Sequence, residues 1–128
     1  REAVARALSL DRYEVFVAND TTQAIERMRE DRMDVVVLDP EFDPVEQGAA
    51  FVTREINTLR PLQRRRLFVA HLSPAVRTAD SHAAFLNHVN LVVNPDDIDD
   101  LPRLLARSLR DLNDLYREFN KAINVADL

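Results

Sequence analysis

Cysteine is absent from the 128 residues, so disulfides and thiolate metal sites are excluded. Glycine occurs once, at Gly48. Cradling a phosphate or pyrophosphate with backbone N–H groups takes clustered glycines, so neither a P-loop nor a dinucleotide fingerprint can be written, and kinase, GTPase and dehydrogenase readings fall with them. No apolar run approaches the ~18 residues of a membrane span, and no signal peptide is visible. A net charge of −5 argues against general nucleic-acid binding. The lack of cysteine and of any span fits a cytoplasmic protein. Because position 1 is Arg rather than Met, the chain is expected to be a fragment of a longer one.

What is present reads as one domain, residues 1–128, with 46% apolar residues to fill one core. Helix and strand patterns alternate. Val4, Ala5 and Leu8 share a face of an opening helix, and Tyr13-Glu-Val-Phe-Val-Ala18 reads as a short strand. Asn19-Asp20-Thr21-Thr22 is a capping cluster with Gln23 three residues beyond Asp20, and a helix carrying Ala24, Ile25 and Met28 follows. Residues 33–39 include Asp34-Val-Val-Val-Leu-Asp39, an apolar run expected to be buried on both faces and ending on a carboxylate. After a loop over 40–47 come a helix over about 49–59, a strand over 67–72, a helix over about 78–88, a strand over 91–93 and a long helix over about 98–123. This alternation predicts βαβ crossovers and a parallel sheet with helices on both faces. The first element, however, is a helix with no strand before it. In a doubly wound sheet the first strand is central. It is therefore expected upstream of Arg1, unless another segment fills its place.

Most of the candidate constellations weaken on inspection. His71, His82 and His88 show no ligand spacing, which argues against zinc. Ser73, His71 and Asp39 make a hydrolase triad on paper, but Ser73 lacks the glycine-flanked elbow. Arg60 with Arg64-Arg65-Arg66 reads either as a dock for an acidic partner or, more simply, as a solvated loop. Asp96, Asp97, Asp99 and Asp100 precede the last helix, where carboxylates complement its dipole, and are read as mostly capping. That helix carries Leu101, Leu105, Ser108, Leu112, Leu115 and Phe119 at three- and four-residue steps. Its length should carry its C-terminal half beyond the sheet, leaving an apolar face for a protein partner or a second copy, unless it folds back over the sheet edge.

Together these strings resemble a response-regulator receiver domain (CheY-like). The carrying residues are Tyr13-Glu-Val-Phe-Val-Ala18, Ala24-Ile25, Asp34-Val-Val-Val-Leu-Asp39, Leu72-Ser73 and Leu91-Val-Val-Asn94-Pro95. Arg65-Arg-Leu-Phe-Val-Ala70 and residues 84–94 are also similar to receiver-like domains of bacterial zinc-ribbon proteins. The resemblance implies a three-layer flavodoxin-like doubly wound parallel sheet with an extended last helix. It places Asp39 at the phosphoacceptor position and Ser73 at a phosphoryl-contact position. Asn94 stands where the family's phosphoryl-pairing lysine would be, and Leu91 where its aromatic switch would be. It also implies a cis peptide at Asn94–Pro95, and it puts Asn87 at a position where receivers often have Gly.

Three functions are consistent with this pattern. The leading one is a degenerate receiver that is not an enzyme and serves as a protein-interaction module through Leu101, Leu105, Leu112, Leu115 and Phe119. The second is a true phospho-receiver, fed by a histidine kinase, with Mg²⁺ on an acidic pair upstream of Arg1. The third is a small-molecule binding module at the C-terminal edge of the sheet. A charge-assisted bond contributes about 1.5–3 kcal/mol, so Asn94 in place of lysine is expected to weaken phosphorylation by one to two decades.

Overall fold

The structure is a computed structural model that describes residues 2–9, 13–126 and 128. It is mixed α/β. In chain order the elements are α1 (Glu2–Ser9), α2 (Thr21–Glu30), β1 (Val35–Leu38), α3 (Gly48–Asn57), α4 (Pro61–Arg65), β2 (Phe68–Leu72), α5 (Ser81–Leu86), β3 (Leu91–Val93) and α6 (Leu101–Ala122). Short 3-10 turns at Pro44–Glu46 and Pro95–Asp100 precede α3 and α6.

The strands form one parallel sheet in the order β1-β2-β3, with Val35 opposite Phe68 and Ala70 opposite Leu91. Strand alternation divides the core in two. Phe68, Ala70 and Leu72 join Leu91 and Val93 in packing against Leu8 of α1 and Leu101 and Leu105 of α6. Val69 and Leu38 face the other way, toward Ala24 of α2 and Val52 and Ile56 of α3. The central strand thus has helices on both faces, which accounts for its near-continuous apolar sequence.

Two expectations about strands need correction. Residues 13–18 form no strand, although they keep the alternation: Tyr13 and Val15 pack with the α1/α6 face and Ala18 with the α2/α3 face. β propensity is realised only where a neighbouring ladder is in reach, and this segment joins none of the described strands. The run at β1 is also less buried than expected. Among the described residues β1 pairs with β2 alone, so it is an edge strand; Val35 to Val37 are half-buried and only Leu38 is fully covered.

Local signals set the helix ends. Asp20 caps α2 by accepting from the Gln23 N–H at 2.8 Å, and Gln23 Oε1 accepts from the Asn19 N–H. The last helix spans 22 residues and ends in a Schellman turn. Asn124 holds φ 57°, and the Val125 N–H donates to the Asn120 carbonyl at 2.8 Å. Among the described residues no helix is long and apolar enough to cross a membrane.

Candidate functional site

The parallel register carries Asp39, Ser73 and Asn94 to one edge of the sheet, because each directly follows the last residue of a strand. Leu38 lies opposite His71 and Leu72 opposite Val93, which puts Ser73 level with Asn94 and Asp39 one residue lower. The polar groups of all three are engaged, those of Asp39 and Ser73 with backbone two residues on. Asp39 Oδ1 accepts from the Glu41 N–H at 2.9 Å. Ser73 Oγ accepts from the Ala75 N–H at 3.2 Å.

Asn94 is the most committed of the three. Its side-chain oxygen accepts from the Asp96 N–H, while Nδ2 donates to the Val76 carbonyl at 2.9 Å. Its backbone N–H donates to Thr78 Oγ1, whose hydroxyl in turn donates to Asp97 Oδ2. Asn94 therefore clamps the segment after β2 and caps the turn that starts at Pro95. The Asn94–Pro95 peptide is trans, against the cis form expected from the resemblance; no described peptide bond is cis. Trans is the lower-energy isomer, and here Pro95 opens a 3-10 helix, where its fixed φ suits the first position. Leu91, which the resemblance puts at the switch position, is a buried core residue of β3.

The loop between β1 and α3 is held in a strained form. Asp43 and Gln47 both adopt left-handed backbone, with φ 45° and 56°. Gly48 closes it: a Cβ there would lie 2.8 Å from the Asp43 Cβ and from the Phe42 carbonyl oxygen. Asp43 Oδ2 accepts from both the N–H and the hydroxyl of Thr21, at 2.8 and 2.6 Å. These bonds, the hydroxyl first, hold the Asp43 carboxyl below the ordinary carboxylate range. Sequence reading missed Asp43. The only signal was the Asp-Pro pair at 43–44, which repeats the pair at 39–40, with nothing to tie it to a residue 22 positions away.

A hollow of about 540 Å³ adjoins this edge on the α3 side, lined by Leu38, Pro40, Ala49, Thr53, Arg54 and His71. Burial holds the His71 imidazole below its ordinary pKa. The left-handed residue after α5 is His88, at φ 56°, whereas Asn87 stays at φ −94° and donates to the Ala83 carbonyl.

At the opposite end of the sheet the C-terminal half of α6 crosses a groove of about 680 Å³, whose lining includes Met33, Leu62, Leu112, Tyr116 and Phe119. The arginine run belongs to α4 and its exit, not to a solvated loop. Successive helical residues point about 100° apart, and each arginine finds its own target. Arg64 donates to the Leu67 and His88 carbonyls at 2.8 and 2.9 Å. Arg65 lies over the rings of Phe119 and Tyr116, 4.5 and 5.5 Å from their centroids, and Arg66 donates to the Ala126 carbonyl.

Within α6, Leu101 and Leu105 are fully buried, and Leu112 packs against the core. Leu115 is 74% exposed, and Phe119 and Ile123 are exposed beside it. Of the acidic set ahead of α6, Asp96 and Asp97 stand in the first turn of the 3-10 helix and Asp100 at the N-cap position of α6. The Asp100 side chain makes no cap bond and lies 3.5 Å from Arg103, and Asp97 serves Thr78. Among the described residues no group of His, Asp and Glu is arranged to hold a metal ion. No match to the chain was found among protein-family models, curated proteins or solved structures.

Proposed function

We propose that the chain is a receiver-like signalling domain of the response-regulator kind, acting as a protein-interaction module without efficient phosphorylation of Asp39. The observation that carries this is the state of Asn94. Phosphoryl transfer to a carboxylate depends on cations that neutralise the developing charge. Asn94 brings no charge, and its amide is already bonded to the Val76 carbonyl and the Asp96 N–H. With Leu91 buried in place of an aromatic switch, the phosphorylated state would also lack its usual rotamer signal.

The finer fold belongs to the same reading. A doubly wound, flavodoxin-like sheet of order 2-1-3-4-5 would put one further strand along the edge of β1 that faces away from β2. Helices on both faces of the sheet and the apolar alternation of residues 13–18 support this. Any Mg²⁺ would depend on acidic residues of that strand, and no step is assigned to it. Exposed Leu115, Phe119 and Ile123 support the interaction role of α6.

The test is a titration of the full-length protein with beryllofluoride and Mg²⁺, followed by amide resonances. Resonances of Asp39, Ser73 and Asn94 are expected to stay in place. Shifts concentrated at those residues would replace this reading with that of a phospho-receiver served by a histidine kinase.

A further inference from the structure

The exposed apolar row of α6 has the register of a coiled-coil seam. Leu112, Leu115, Phe119 and Ala122 follow one another at steps of three, four and three, which is a/d spacing. The same register runs back through Ser108 to Leu105 and Leu101. There the chain's own core takes it over, because both leucines are fully buried. The row passes from intramolecular packing to solvent at Leu112, and Leu115 is more exposed than Phe119.

The two flanks of the seam carry opposite charge. On one side, preceding the a positions, stand Asp111 and Glu118, both exposed. On the other, beside Tyr116, the Arg65 guanidinium from α4 lies over the Tyr116 and Phe119 rings. In a parallel two-fold pairing each helix sets the flank before its a positions against the partner's flank after its d positions, so acidic meets basic twice. An antiparallel pairing would set Asp111 and Glu118 against their own copies.

We propose that α6 is a homodimer interface in which a second copy of this chain packs in parallel, joining Leu115 and Phe119 across a two-fold axis and pairing Glu118 of each copy with Arg65 of the other. The pairing rests on the interaction-module reading above and names the partner. The free seam, Leu115 to Ala122, is only about one heptad long, and Leu105 and Leu112 are committed to the core, so the dimer is weak and concentration-dependent.

Sedimentation equilibrium from about 5 to about 500 μM tests it. The wild-type chain is expected to pass from monomer to dimer over that range. L115D is expected to raise the dimer Kd at least about tenfold with an unchanged melting temperature, since Leu115 is largely exposed. E118R and R65E should each weaken association, and the double variant R65E/E118R, which exchanges the charges, should restore it. A wild-type chain that stays monomeric throughout, as it would if another protein occupies the seam, overturns the proposal. So does failure of the double exchange to restore association. Either failure leaves the phosphoryl-analogue titration, and with it the reading of Asp39 and Asn94, unaffected.

Discussion

Thr21 grips the Asp43 carboxylate twice, through its N–H at 2.8 Å and its hydroxyl at 2.6 Å, and so ties the start of α2 to the loop that follows β1. The carboxylate also sits at the positive end of α2 and serves as a second cap beside Asp20. That pairing fixes a loop containing two left-handed non-glycine residues, Asp43 and Gln47.

Removing the Thr21 hydroxyl should loosen this loop without unfolding the domain. Because the bonds lower the Asp43 pKa, their stabilisation is present above the ordinary carboxylate pKa and is lost as pH falls through the lowered folded value. In T21V the Asp43 carboxyl, followed by NMR titration, is expected to move back toward its ordinary range. Amide exchange across residues 41–48 should quicken.

His71 titrates with the opposite charge but in the same direction. Its folded pKa is lowered by burial, so the neutral ring is favoured. Stability is full above the unfolded value of about 6.5 and declines as pH falls through the folded pKa. The H71N variant should flatten the urea-unfolding free energy between about pH 7 and 5 relative to wild type.

Asn94 is predicted to matter more to stability than to any chemistry. N94A removes both a cap acceptor and the donor to the Val76 carbonyl, and should cost about 1–2 kcal/mol in urea unfolding. N94D keeps the acceptor and loses the donor, so it should fall between wild type and N94A. N94K is expected to be destabilised like N94A, because lysine supplies no acceptor for the Asp96 N–H.

Along α6 the effect of truncation should change sharply. Leu105 is fully buried, and L105A should cost about 2–5 kcal/mol. Leu115 is 74% exposed, and L115A should stay within about 0.5 kcal/mol at low concentration. Thermal or urea melts of the two variants check the contrast.

Local chemistry made parts of this molecule legible in one dimension. The cap at Asp20, the apolar runs of β1, β2 and β3 and the strand-end positions of Asp39, Ser73 and Asn94 all depend on neighbours a few residues away. α4 was not legible: Pro61 stops one helix pattern, and its role as the first residue of the next is hidden in an arginine-rich stretch. The resemblance puts Asn87 where receivers often have Gly, yet the left-handed residue after α5 is His88, one position later, an offset that composition alone does not resolve.

By itself the sequence determined the strands β1, β2 and β3, the parallel sheet with helices between them and the absence of glycine-rich phosphate loops, because periodicity and backbone sterics act locally. Only the tertiary structure decided that β1 pairs with β2 alone among the described strands, where each arginine of α4 and its exit goes, and what Asn94 holds. Those outcomes depend on bonds between residues far apart in the chain, such as Arg64 to His88 and Asn94 to Val76. Such pairs form only where packing brings them within hydrogen-bonding distance, and nothing in either residue's immediate sequence specifies that distance.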